Sequence, residues 1–169
     1  MHMKTKISNR TMLILGLIIG VIAADQITKF LIRRSVEYHE NIEIFGKYLI
    51  MTKVENSGAF LGMGDSMPKS LYIIFMILLP LAAVGYGIYY LLKNKNLSNA
   101  LMIGLSLIIG GGLGNIYDRI LYGSVTDFLF FDFVIFHTGI VNVADIAVTA
   151  GFFLVLYDQL LTNYKKPKV

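Results

Sequence analysis

The stretch "ALMIGLSLIIGGGLGNIYDRILYGSVTDF", residues 100–128, decides how this chain is read. Its first part, Ala100 to Tyr117, carries no charge and is long enough to cross a ~30 Å hydrocarbon core as a single helix. Asp118, Arg119 and Asp127 then follow at its end. An ionisable group at membrane depth costs roughly 2.5–3.5 kcal/mol on insertion scales, so each one kept there is a candidate for function.

Outward from this stretch, residues 11–32, 71–92 and 139–157 are three further apolar runs of spanning length. Across the 169 residues, 56% are hydrophobic and only 15% are charged, and mean hydropathy is +0.66, too apolar for a soluble domain of this size. The expectation is one integral membrane α-helical domain over residues 1–169, with four spans and extracytoplasmic segments at 33–70 and 118–138. The opening "MHMKTKISNR" followed by an apolar run is built like a signal peptide, with Val21-Ile22-Ala23 as a passable cleavage site. Apolar character resumes beyond Asp25 in "ITKFLI", so a retained first helix is expected.

There is no cysteine, which excludes disulfides, thiolate metal sites and a cysteine nucleophile. The net charge of +4 does not point to nucleic acid, because the basic residues sit beside the spans and form no soluble basic face. With four spans, both termini and the loop "KNKNLSN" share one side. These short flanks carry Lys4, Lys6, Arg10, Lys93, Lys95, Lys165, Lys166 and Lys168 with Asp158 as their one acid, which places them in the cytoplasm by the positive-inside rule.

On the outer side, Gly46-Lys47 separates two short β-prone runs in "NIEIFGKYLIMTKVENSGAF", the pattern of a hairpin. In "GSVTDFLFFDFVIF", alternation puts Val125, Asp127, Leu129 and Phe131 on one face and Thr126, Phe128, Phe130 and Asp132 on the other. Within the spans, Asp25 and Lys29 are i,i+4 neighbours able to neutralise each other. Gly111, Asn115 and Asp118 share a face of the third helix, where small residues let another backbone approach closely. Asn142, Asp145 and Thr149 form a stripe on the fourth. Asp145 has no basic residue within a helical turn, so its partner comes from elsewhere in the fold.

Two carboxylates within ~4 Å repel by about 4 kcal/mol at an effective dielectric of 20, or roughly three pK units. One then keeps its proton while the other is ionised, and such a pair can activate water and protonate a carbonyl without a metal or a nucleophilic serine. Residue chemistry alone leaves the members of the pair open among Asp118, Asp127 and Asp145. Two other readings stand beside it: a magnesium-dependent phosphotransferase with Asp118, Asp127 and Asp132 as ligands, and a small transporter whose buried carboxylates relay protons. "HENIE" at 39–43 echoes a metalloprotease HExxH motif, but Glu43 stands where the second His is needed.

Five blocks resemble those of the lipoprotein signal peptidases, or signal peptidase II family: "DQITK" at 25–29, "NSGAF" at 56–60, "GGGLGNIYDR" at 110–119, "VTDF" at 125–128 and "NVAD" at 142–145. The resemblance implies a four-helix membrane fold with a small extracytoplasmic β-cradle. It also implies an aspartic endopeptidase that cuts prolipoproteins N-terminal to their diacylglyceryl-modified cysteine, at the outer face of the cytoplasmic (inner) membrane. Asp127 and Asp145 are then the catalytic pair, and Asn56, Gly58, Asn115, Asp118, Arg119, Asn142, Asp25 and Lys29 bind substrate or support them. No cofactor or metal is implied. The expected partners are lipid-modified prolipoproteins and membrane lipids, with the chain acting as a monomer. Two positions depart from the family pattern: the second block is one residue shorter than the usual N-x-G-A-A-F, and Val141 stands where Phe is usual.

Overall fold

The computed structural model describes residues 8–58 and 67–164. Lys4, Lys6, Ala59, Phe60, Lys165, Lys166 and Lys168, which entered the sequence reading, lie outside the described residues.

Four helices carry the apolar runs: α1 (Asn9–Ser35), α2 (Lys69–Lys93), α3 (Asn99–Tyr122) and α4 (Val143–Tyr164). Each is long and apolar enough to cross a membrane. Ser8 and Ser98 cap the first and third helices by accepting hydrogen bonds from Thr11 N and Leu101 N. Gly123 ends α3 in the left-handed conformation, φ 74°, with its N–H on the Arg119 carbonyl. In α2 the turn Ile73–Leu78 widens to a π-helix just before Pro80, whose ring and missing N–H disrupt the regular α-helical ladder at this point.

The centre of the bundle is α3. Its glycines allow close approach on two sides: a methyl group at Gly110 would lie 2.9 Å from Val21 Cβ of α1, and one at Gly104 would lie 2.8 Å from the Gly151 carbonyl of α4. Ile14 and Ile18 of α1, Val84 and Leu91 of α2, and Met102, Ile109 and Ile116 of α3 form the main apolar core. The helix faces turned away from it expose large apolar side chains such as Ile19, Ile27, Leu79 and Phe153, as lipid contact requires.

At one end of the bundle, three antiparallel strands form a sheet in the order β1 (Ile42–Phe45), β2 (Leu49–Asn56), β3 (Val125–Phe131). The β1–β2 hairpin turns at Gly46, φ 50°, where the sequence pattern places it. Strand β3 then pairs Val125 with Asn56 and Phe131 with Leu49. The alternation expected for β3 does not divide it into a wet face and a dry face. Val125, Thr126, Asp127 and Phe128 are all buried, because the strand lies between its neighbour β2 and the helix ends. Phe128 packs with Ile32 and Val36 at the end of α1. "HENIE" forms a turn and the start of β1, with His39 at φ 61°, so it is no metal-binding helix.

Candidate active site

The fourth helix begins at Val143 rather than at Gly139, because Asn142 caps it. Asn142 Oδ1 accepts from Asp145 N at 2.9 Å, and Asp145 Oδ2 accepts from Asn142 N at 3.1 Å. This is a capping box in which Asp takes the place of the usual Glu or Gln. A local helix-starting signal thus fixes the Asp145 carboxylate at the rim of the bundle. The remaining Asn142 group, Nδ2, donates to Asp127 Oδ1 at 2.6 Å. Asn142 is fully buried, so one amide ties the start of α4 to the middle of β3.

Asp127 also accepts from Asn56 Nδ2 at 2.9 Å, and Asp145 accepts from Asn115 Nδ2 at 2.8 Å. Asp127, Asp145, Asn56, Asn115 and Arg119 line a single cavity of about 240 Å³, with Thr149 on its wall. Burial pushes the Asp127 carboxyl up to about 6. The neighbouring charge of Asp145 adds to that rise, while hydrogen bonds from Asn56 and Asn142 and the Lys29 charge oppose it. The Arg119 guanidinium reaches the Gly58 carbonyl at 2.9 Å, and Gly58 N donates to Asn56 Oδ1 at 3.1 Å. Arg119 Nε has no hydrogen-bond partner among the described residues.

A second, larger cavity of about 1110 Å³ shares Gly139, Ile140, Val141 and Thr149 with the first. Glu43, Ile50, Thr52 and Phe130 of the sheet line it together with His137. The two adjoin through these shared residues and together make the candidate substrate cleft beside the carboxylates.

Beneath the carboxylates lies a layer of buried charge. Lys29, fully buried, contacts Asp25 Oδ2 at 2.8 Å, Asp118 Oδ2 at 2.8 Å and Asn115 Oδ1 at 2.9 Å. The other oxygen of Asp25 accepts from Ala144 N, in the first turn of α4. Asp118 Oδ1 takes Gln26 Nε2 at 3.1 Å and lies 3.2 Å from Arg33 Nη2. Asp118 therefore pairs with Lys29 and Arg33 of α1 rather than with its sequence neighbour Arg119, because the two side chains leave α3 about 100° apart. Arg33 also donates to Thr126 Oγ1, whose hydroxyl donates to Glu55, itself held by Ser124.

Gln26, Arg33, Thr126, Glu55 and Ser124 were not singled out from the sequence. Arg33 falls four residues after Lys29 on the same helical face, a signal that could have found it. Asp118, Asp127 and Asp132 are not gathered as a phosphotransferase needs. Asp132 instead accepts from Val134 N in its own loop, and among the described residues no three acids or histidines stand close enough to hold one metal ion.

Residues 17–161 match the family described as signal peptidase (SPase) II. The lipoprotein signal peptidase of Coxiella burnetii is 34% identical over 168 residues, covering 98% of this chain and 100% of that protein. The lipoprotein signal peptidase of Symbiobacterium thermophilum is 34% identical over 154 residues, covering 91% of this chain and 98% of the relative. A solved bacterial membrane enzyme superimposes with a TM-score of 0.81 at 26% identity, covering 93% of both chains.

Proposed function

The chain belongs to the signal peptidase II family, and from that premise we propose that it removes signal peptides from prolipoproteins by aspartic catalysis at Asp127 and Asp145, cutting N-terminal to the lipid-modified cysteine. The observation that carries this reading is the position of Asn142: its side-chain amide donates to the Asp127 carboxylate, its backbone N–H donates to the Asp145 carboxylate, and both carboxylates line one cavity.

In the proposed reaction a water in that cavity is deprotonated by one carboxylate as it attacks the scissile carbonyl, while the other carboxyl gives its proton to the carbonyl oxygen. The gem-diol so formed collapses as a proton passes to the leaving amine, and the C–N bond breaks. Asp127, with its raised pKa, is suited to hold the proton that goes to the carbonyl, although the titration is a property of the pair. Arg119 lines the same cavity, and its guanidinium is suited to hold a substrate carbonyl. Asn115 links the buried Lys29 to Asp145 and fixes that carboxylate's rotamer.

The same reading makes the protein a multi-pass enzyme of the cytoplasmic membrane, acting as a monomer, with both termini in the cytoplasm and the cleft toward the outer face. Arg10, Lys93 and Lys95, at the end of the bundle opposite the sheet, support that orientation. The test is mass spectrometry of a lipidated prolipoprotein incubated with the purified protein, with and without EDTA. The expected products are the free signal peptide and a chain beginning at the lipid-modified cysteine, unchanged by the chelator. Cleavage at another bond, or loss of cleavage with EDTA, would overturn the reading.

A further inference from the structure

Strand β3 lies across the helix ends rather than rising away from them. Val125 follows the end of α3, Thr126 is bonded to Arg33 of α1, Asp127 to Asn142 at the start of α4, and Phe128 packs on Ile32 and Val36 of α1. At about 3.3 Å per residue, the strand therefore carries the chain sideways along the plane in which the helices end.

Beyond it the chain makes a tight turn at Phe133–Phe136. Ile135 N donates to Phe133 O at 2.8 Å across Val134, which sits at φ 72°. That is a positive-φ γ-turn with a β-branched residue at its centre, a strained conformation rarely adopted. Asp132 Oδ1 on Val134 N and the Phe133 N–Phe136 O bond hold it. The turn presents four consecutive apolar side chains to the outside, with Ile135 90% exposed. Phe133 stacks on Phe136 at 4.8 Å. The β1–β2 turn lies alongside, bonded through Asp132 N to Tyr48 O, and adds Phe45 at 72% exposure.

An exposed apolar tip of this kind calls for an occupant. The lipid-facing surface of the helices is already a membrane interface, and β3 brings the tip to the level at which that surface ends. Aromatic side chains with a neighbouring basic group, here Lys47 over Tyr48, suit the headgroup boundary. We propose that Phe133–Phe136, with Phe45 and Tyr48, insert into the lipid surface beside the helix bundle and anchor the sheet to it. The anchor leads directly into residues 137–141, which line the cleft, so lipid contact would hold that wall at the membrane surface. The inference stands apart from the peptidase chemistry and rests on the fold.

The chain has no cysteine, so a single one can be labelled. Ile135→Cys and, as a water-exposed control, Lys95→Cys carry an environment-sensitive dye in bilayers of phosphatidylethanolamine and phosphatidylglycerol. The expected result at position 135 is blue-shifted emission, quenching by brominated lipid, and iodide quenching several-fold weaker than at position 95. Water-like emission with equal iodide quenching at both positions would overturn the proposal. So would blue-shifted emission that is insensitive to brominated lipid and grows with the protein-to-lipid ratio, because a second copy of the chain would then be the occupant.

Discussion

Asn142 and Asp145 exchange two hydrogen bonds across the first turn of α4, at 2.9 Å and 3.1 Å, and the amide left over on Asn142 holds Asp127. One side chain is therefore both the cap of α4 and the tie that holds Asp127 to the start of that helix. These roles are separable by substitution. Asn142→Ala removes both and is expected to cost about 1 kcal/mol of helix stability along with activity. Asn142→Ser keeps an N-cap oxygen but cannot reach Asp127, so its melting temperature stays near wild type while kcat falls. A serine variant with full kcat would show that the link to Asp127 is not needed.

Lys29 lies between Asp25 and Asp118 with no solvent exposure. Lys29→Met leaves two buried carboxylates without their common cation, and breaking a buried pair in this way costs about 3–5 kcal/mol. Thermal unfolding in detergent is expected to show a large drop. Arg33→Gln should cost less, because Arg33 is partly exposed and Asp118 keeps Lys29. Equal melting temperatures for Lys29→Met and wild type would contradict the buried-charge account.

These two cases mark where the sequence was legible. The four apolar runs, the Gly46-Lys47 turn and the Asp25–Lys29 pair follow from hydropathy, turn chemistry and i,i+4 spacing, all of them local. The partners of Asp118 and Asp127 are not local. Lys29 and Arg33 reach Asp118 from another helix, and Asn56 reaches Asp127 from another strand, contacts that no periodicity encodes. The missed group at Arg33, Thr126 and Glu55 exists because β3 crosses the end of α1, a matter of topology. The burial of both faces of β3 has the same origin.

The pH profile should follow Asp127. With its carboxyl at about 6, the protonated fraction falls as pH rises through that value, so the alkaline limb of kcat/KM lies near it. The hydrogen bond from Asn56 stabilises the ionised form and holds the value down. Asn56→Ala removes it, so the alkaline limb should move to higher pH even as the maximal rate falls. A limb that stays in place or moves toward acid would contradict this role for Asn56.

Glycines of the bundle should differ by position. A methyl group at Gly111 would overlap the Ala144 carbonyl and lie 2.8 Å from Val148 Cγ2, so Gly111→Ala must push α4 away and displace Asp145 with it. A loss of about 1–3 kcal/mol from overpacking is expected, together with lower kcat. Gly20 of α1 is exposed and has nothing within 4 Å of an added Cβ, so Gly20→Ala should leave stability and activity unchanged or slightly improved. Similar behaviour of the two variants in a melting and activity comparison would argue against the α3–α4 contact as the element that positions Asp145.

The most direct measurement of the central claim is the cleavage of a lipidated prolipoprotein by Asp127→Asn and Asp145→Asn, each purified as folded protein and followed by mass spectrometry beside wild type and Asp118→Asn. The expected result is no product from either of the first two, with residual cleavage by Asp118→Asn in proportion to the folded protein recovered. Turnover near the wild-type rate by Asp127→Asn or Asp145→Asn would contradict the dyad, and an inactive but folded Asp118→Asn beside either of them would move the chemistry to the buried layer beneath.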